Sequence, residues 1–572
     1  MKKKIIPVAI AIALILVIGG LSFGRQIIDR YSYSKERYDL KTYFENDSDT
    51  DVAIIRDGQF MEDRAFYLKD TCYVTLDFVL TYLNSRFYYD EVEDLLIYTL
   101  PEHMLVVSEG QKTVTDRTED TAQNYDYAPF LKEKGEILVA LDYAALFSVF
   151  EYEYYDEPKR IRLTSSYDQR TVASAKKDTA VRHRGGVKSE ILTDLKEGDK
   201  VIVLEQMDEW SKVMTKDALI GYVENRHLDG VMPELPIPSS TDKYPGYDAE
   251  YTSLTENRKI IMGFHAVAGE GGNSTLSEMT ANVKGMNVIS PTWFKINDNE
   301  GNFVSYATQD YVNRAHDMGL EVWALAENIE FSGEIDMDAI LSATTTRQKL
   351  VHSLVEKSLE LGIDGINIDF ELLPASAGKD FSEFIREISI ECRRNGLVLS
   401  VDNYVPIGGT GYYDRKTQGE AADYVVIMGY DEHYAGSSEA GSVASIGYVE
   451  TGITMTLDEV PAAKIINAVP FYTRIWETEG SDVTSQAVDM QTASDWLSNH
   501  SLTPEWDEET CQNYASYKDG NKTVECWLED EESLKVRLNI MNKYELGGFA
   551  CWRLGFEKPG IWDVIEEDYA GN

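Results

Sequence analysis

The chain has 572 residues, 54 basic against 98 acidic, a formal charge of 54 − 98 = −44. That length exceeds one ordinary domain several-fold, so three or four domains are expected. A surface this acidic repels nucleic-acid phosphates and anionic lipid, which excludes nucleic acid as a partner and suits an extracellular location.

The N-terminus breaks the acidity. "MKKK" is followed by residues 5–23, "IIPVAIAIALILVIGGLSF", a run of 19 without charge. It is long enough to span a bilayer, and the three lysines predict an N-terminus inside and the bulk of the chain outside. A cleaved signal peptide over residues 1–24 is the other reading; the run is long for its apolar core and no A-x-A site follows. Either way the chain is exported, to the extracellular face of the membrane if anchored or to the cell wall and beyond if cleaved. No cysteine directly follows the run, which argues against a lipoprotein anchor.

Residues 72–99 and 137–164 are similar to each other. Each has a short strand, an L-D-aromatic helix start, a strand, a Y-D-E turn and a last strand. Two such units make one compact α+β domain rather than a solenoid. Residues 170–229 hold short β-like runs such as "KVIVLEQ" and "IGYVENRHL", cut by "KEGDK" and "DEW", as in a small β-barrel. From 230 to 257 the chain is rich in proline, with Pro233, Pro236, Pro238 and Pro245, and reads as a semi-stiff linker.

After the linker, apolar strands alternate with helix-sized intervals: "KIIMGFHAV", "MNVISPTWF", "LEVWALAEN", "IDGINIDFE", "LVLSVDNYV", "ADYVVIMGY", "KIINAVPFY" and "GGFACWRLG". Eight strands in this rhythm predict an α/β fold, a (β/α)8 TIM barrel over residues 258–568. The helical stretches "RQKLVHSLVEKSLELG" and "FSEFIREISIECRRNG" each close on glycine. The interval of about 477–538 is too long for one helix and predicts a small α+β insertion. It includes Cys511 and Cys526, which flank a hairpin around Asp519-Gly520 and either meet as a disulfide or stay as free thiols. The five cysteines form no C-x-x-C pair and there is no H-E-x-x-H, so no metal site is expected.

One strand stands apart. In "LGIDGINIDFELLP" the period of two places Asn367, Asp369 and Glu371 on one face and Ile366, Ile368 and Phe370 on the other. In a barrel strand both faces are covered: the apolar residues pack under helices and the acidic ones face the interior, with Glu371 at the C-terminal mouth, where sites in this fold lie. Two carboxylates side by side in a poorly hydrated site favour keeping one protonated, and a protonated carboxyl is what a general acid requires.

Three resemblances follow from these motifs. Residues 50–167 resemble the N-terminal domain family named after copper amine oxidases, without implying copper. Residues 170–229 resemble a bacterial SH3 domain. "DGINIDFE" is similar to the signature D-G-x-D-x-D-x-E of family 18 glycoside hydrolases, and "SPTWF" at the second strand, "MGYDEH" at the sixth, "PFYTR" at the seventh and Trp552 at the eighth match in the family's order. That resemblance implies a cell-surface glycosidase acting on an amino-sugar polysaccharide, peptidoglycan or chitin-like, by substrate-assisted retaining hydrolysis, with no metal or organic cofactor. It makes Glu371 the acid and base, Asp369 the residue that orients the substrate's acetamido group, and Tyr430 a hydrogen-bond donor to the acetamido carbonyl. Trp552 becomes the floor beneath the sugar; Met428, Asp431, Tyr472, Arg474 and Asp364 are further substrate-contact candidates. Trp293 and Trp323 either extend the aromatic platform or pack the barrel. Asn367 departs from the signature's middle aspartate; it cannot titrate, but its amide is expected to donate to Asp369 and keep it ionised. A non-catalytic carbohydrate-binding barrel, against which the presence of Glu371 argues, and a passive barrel carried by working N-terminal domains are the alternatives. Nothing in the sequence sets an oligomeric state.

Overall fold

A computed structural model describes residues 10, 13–19, 21–22, 30, 32–46, 50–238, 242–255 and 258–570. Most of the anchor or signal segment expected over residues 1–24 lies outside them. Among the described residues no helix is long and apolar enough to cross a membrane.

The chain divides into two units. The first comprises Met1–Phe87, Val107–Val114 and Gln123–Asp248. It holds two seven-stranded sheets. One runs Glu151–Tyr155, Arg160–Thr164, Asp51–Arg56, Gln59–Leu68, Thr71–Thr75, Glu136–Ala140, Phe130–Glu133 in spatial order. The other contains the β-like runs expected over 170–229 and closes on a small core of Ala173, Val181, Leu192, Val201, Val213 and Val223. The expected linker is shorter than its proline content suggests. Leu228–Glu234 is a strand of this second sheet, and Pro233 sits on its edge opposite Thr171, where no ladder donor is needed. Further on, Lys243 donates to the carbonyls of Ala145 and Ser148 at 2.7 Å each.

The two similar segments both fold as strand, helix, strand, strand, but they do not stay together. In the second copy the last two strands, Glu151–Tyr155 and Arg160–Thr164, remain in the first unit's sheet. In the first copy Phe87–Asp90 and Leu95–Thr99 fall, apart from Phe87, in the second unit, which comprises Tyr88–Val106, Thr115–Ala122 and Ala249–Asn572. Strands of the first copy meet polar partners some 250 to 290 residues away in sequence: Asp90 accepts from the Thr344 amide at 2.6 Å, and the Tyr88 hydroxyl donates to Asp380 at 2.7 Å.

The rest of the second unit is the expected barrel. Its strands are β1 (Ile260–His265), β2 (Val288–Ile296), β3 (Glu321–Glu327), β4 (Gly365–Asp369), β5 (Val398–Tyr404), β6 (Tyr424–Met428), β7 (Ile465–Pro470) and β8 (Gly548–Trp552). Neighbours pair in parallel, β8 pairs with β1 and β1 with β2, so the sheet closes. A period of two splits each strand between two cores. Inward residues such as Met262, Trp323, Leu325, Val426 and Ala550 fill the interior. Outward residues, Ile366, Ile368 and Phe370 of β4 and its exit among them, pack with the helices; burial of each contributes about 1.5–3 kcal/mol. The helices α1 (Thr344–Leu361) and α2 (Gly378–Asn395) end on Gly362 and Gly396, whose φ of 67° and 68° only glycine adopts cheaply. Gly365 opens β4 because a Cβ there would stand 2.8 Å from the Trp323 ring and 2.9 Å from the Val398 carbonyl oxygen.

The insertion is a five-stranded sheet with one helix, spanning Tyr472–Glu479 to Lys522–Leu528. It starts and ends earlier than expected: Tyr472 leaves β7 almost directly, and Glu531–Lys543 is a barrel helix begun by an Asp530 capping box. Cys526 lies inside its hairpin opposite Ala515, whereas Cys511 precedes the hairpin's first strand; all five cysteines are free thiols.

Candidate active site

β4 places Asn367 and Asp369 inward, Asn367 level with Leu325 of β3 and Ser400 of β5, and Asp369 level with Glu327. Glu371 lies just past the strand. Its backbone is clamped by Asn328, whose side chain accepts from the Glu371 amide and donates to its carbonyl, both at 2.8 Å. Its carboxylate accepts the Tyr404 hydroxyl at 2.7 Å. Burial raises the Glu371 pKa, and Asp431 and Glu327 push the same way, while the Tyr404 hydrogen bond pulls it down. The half-buried carboxyl thus keeps its proton further up the pH scale than an exposed glutamate would.

Asn367 is wholly buried, and its amide is turned away from Asp369. Nδ2 donates to Asp402 of β5 at 2.8 Å, and Oδ1 accepts the Ser400 hydroxyl at 2.5 Å. The expectation that Asn367 keeps Asp369 ionised is therefore corrected. The amide follows the parallel register to the neighbouring strand rather than its own strand two residues on. Asp369 is left with a buried Oδ1 that has no hydrogen-bond partner among the described residues. Burial, then the charges of Asp402, Glu371 and Glu327, raise its pKa well above the ordinary range, and Lys295 opposes them. Lys295 itself pairs with Glu327 at 2.8 Å.

Tyr430, at the exit of β6, is packed against both cores, and its hydroxyl titration is raised by burial and by Asp402, Asp369 and Glu371. Met428 is buried at the inward end of β6. Tyr472 donates to Asp431, and its ring meets Tyr430 edge-on at 6.2 Å. Trp552 ends β8, partly buried beside Phe264 at 5.5 Å. Arg474 follows Tyr472 on the insertion's first strand and donates to Ser485 at 3.0 Å.

Three candidates are elsewhere. Asp364 stands at the opposite, N-terminal end of β4, held by His316 and the Val322 amide at 2.8 Å each, so it is a structural acceptor. Trp293 is fully buried in the outer core, its ring N–H on Asn273 at 2.8 Å, because a bulge between Thr292 and Phe294 turns it outward. Trp323 fills the barrel interior, stacked on Tyr424 at 5.4 Å. Both tryptophans pack and neither extends a platform. Asp402, Tyr404, Asn328 and Lys295 were missed by sequence reasoning. "SVDNYV" carried a signal for two of them: on the period of two, Ser400, Asp402 and Tyr404 share the inward face of the strand.

The model of the glycosyl hydrolases family 18 matches residues 254–557 of this sequence. The chain belongs to that family. A bacterial SH3 domain matches residues 177–229. This family 18 member is 28% identical to the cortical fragment-lytic enzyme of Bacillus subtilis (strain 168) over 253 residues, 42% of this chain and 58% of that protein. It is 23% identical to the uncharacterized glycosylase YvbX of the same organism over 311 residues, 52% of this chain and 89% of that one. The chain thus spans little more than half the length of the first relative. Its fold is shared with the Bacillus cereus spore cortex-lytic enzyme SleL, with a TM-score of 0.50 at 21% identity, covering 55% of this chain and 75% of that one.

Proposed function

We propose that this family 18 chain is a glycosidase that cleaves β-linked N-acetylglucosamine polymers, peptidoglycan or chitin-like, by substrate-assisted retaining hydrolysis. The observation that carries this is Glu371: a half-buried carboxyl with a raised pKa, clamped by Asn328 and Tyr404 two residues past Asp369 at the barrel mouth. Glu371 gives its proton to the glycosidic oxygen as the C–O bond breaks. The substrate's 2-acetamido oxygen attacks the anomeric carbon, and an oxazolinium forms. Asp369, ionised at this point, accepts the acetamido N–H and offsets the positive charge, and the Tyr430 hydroxyl donates to the acetamido oxygen. Glu371, now a carboxylate, takes a proton from the water that opens the ring with net retention. Trp552 supplies an apolar face for the sugar ring.

The relative named as a cortical fragment-lytic enzyme favours a bacterial wall polymer over chitin. The apolar run at residues 5–23 supports a membrane-anchored or secreted chain facing that wall, and the copper amine oxidase-like and SH3-like regions suit such a location. The test is the purified chain incubated with peptidoglycan and with chitin oligosaccharides, products read by mass. Release of N-acetylglucosamine-terminated fragments that stops in Glu371→Gln is expected; release unchanged in that variant, or none from either polymer, overturns the proposal.

A further inference from the structure

This inference deepens the glycosidase reading and rests on it. It starts from two unpartnered oxygens. Oδ1 of Asp369 and Oδ1 of Asp402 are both buried without a hydrogen-bond partner among the described residues. They belong to carboxyls on adjacent strands, each two residues beyond the register pair that sets Asn367 beside Ser400. An orphan buried acceptor is costly, and two facing like charges cost more. Asn367 fixes the other oxygen of Asp402 through its amide at 2.8 Å, so only Oδ1 of Asp402 is free to take a proton.

We propose that Asp402 is a positioning residue that shares one proton with Asp369, supplying from β5 the second acid that Asn367 does not supply from β4. The groups facing the pair are Asn367 and Glu371 from β4 and its exit, Tyr430 from the exit of β6, Glu327 from β3 and Lys295 from β2. Burial pushes the Asp402 carboxyl up to about 8, opposed by the Asn367 hydrogen bond and assisted by Glu371. In the free protein the proton sits on Asp369. When the acetamido N–H of a substrate arrives, Asp369 must be ionised to accept it. The O–H bond on Asp369 then breaks, one forms on Oδ1 of Asp402, and the pair keeps a net charge of −1. No proton enters or leaves the closed site.

Asp402→Asn tests this, because asparagine Oδ1 still accepts from Asn367 while the proton acceptor is lost. kcat is expected to fall about 10- to 100-fold, with the acidic limb of the pH–rate profile displaced. The exchange variant Asn367→Asp with Asp402→Asn returns an acid to the pair and is expected to recover about tenfold. The second readout needs no turnover: infrared titration of the buried carboxyl band. In Asp402→Asn its midpoint moves down by about one pH unit or more, since a like charge beside Asp369 is gone. An unchanged band midpoint overturns the shared proton, as does unchanged kcat with an unchanged pH profile. A shifted midpoint in a chain that hydrolyses neither polymer sinks the glycosidase reading and leaves the proton pair standing.

Discussion

Two sets of buried carboxylates in the same unit behave in opposite ways. Behind the barrel wall, Glu387 of α2 lies wholly buried against Arg347 of α1, which donates to it from Nε and Nη2 at 3.1 and 3.0 Å, and Gln348 adds a bond at 2.8 Å. Glu529 is held in the same manner by Arg537, at 2.6 and 2.9 Å, and by Ser533. At the barrel mouth Asp369 and Asp402 each keep an orphan oxygen and face other carboxyls. Burial raises every one of these groups, to about 7 for Glu387 and Glu529 even with arginine opposing it. Where a carboxylate meets a guanidinium and fills its acceptors, the fold uses it as a strut. Where it is left short of partners, the cost is tolerated because the missing partner is a substrate group or a proton.

That contrast can be broken by substitution, and the largest effect belongs to the mouth. Glu371→Gln should lower turnover by about 10²–10⁴-fold with the unfolding midpoint unmoved, read by steady-state kinetics and urea denaturation. A stability loss in place of a rate loss would make Glu371 a strut. Next is Arg347→Ala, which leaves Glu387 buried and uncompensated. About 3–5 kcal/mol of stability should go, measured by urea unfolding of the full chain, while residual folded protein keeps its KM.

Third, the mouth acids should destabilise as pH rises. Burial and mutual repulsion hold the shared proton of the Asp369–Asp402 pair well above the ordinary carboxylate range, so the folded state binds a proton more tightly than the unfolded chain, and stability falls as pH rises from about pH 4 towards that raised value. Asp402→Asn lessens that slope. The variant should gain on the wild type at pH 8 and differ little at pH 4, and a pH-independent difference in urea midpoint would refute the assignment. The smallest effect is that of Tyr404→Phe. Its hydroxyl holds the Glu371 pKa down, so its loss raises that pKa and moves the basic limb of kcat/KM to higher pH, with kcat reduced only a few-fold. Movement to lower pH would show that burial by Tyr404 outweighs its hydrogen bond.

Much of this was legible from local pattern. Eight apolar runs at helix-sized spacing named the eight strands, glycines marked the ends of α1 and α2, and the period of two in "INIDF" already separated Asn367 and Asp369 from Ile366, Ile368 and Phe370. The same rule misled where the period slips: at β2 a bulge adds one residue, and Trp293 turns to the outer core with Phe294. It was silent on Asp402, because nothing within 30 residues of Asn367 says which strand its amide will meet. It also could not divide the two similar N-terminal copies, since Asp90 and Tyr88 of the first find Thr344 and Asp380, partners the second copy lacks.

Side-chain period, capping residues and the order of motifs act over a few residues, so they are written in the chain and set the barrel, the position of Glu371 and its neighbour Asp369. Register between strands and the partners of buried polar groups depend on contacts across tens to hundreds of residues. Closure of the sheet brought Asp402 beside Asn367, turned Asn367 from Asp369's supposed donor into Asp402's anchor, and left two carboxyl oxygens facing a site with a proton to share.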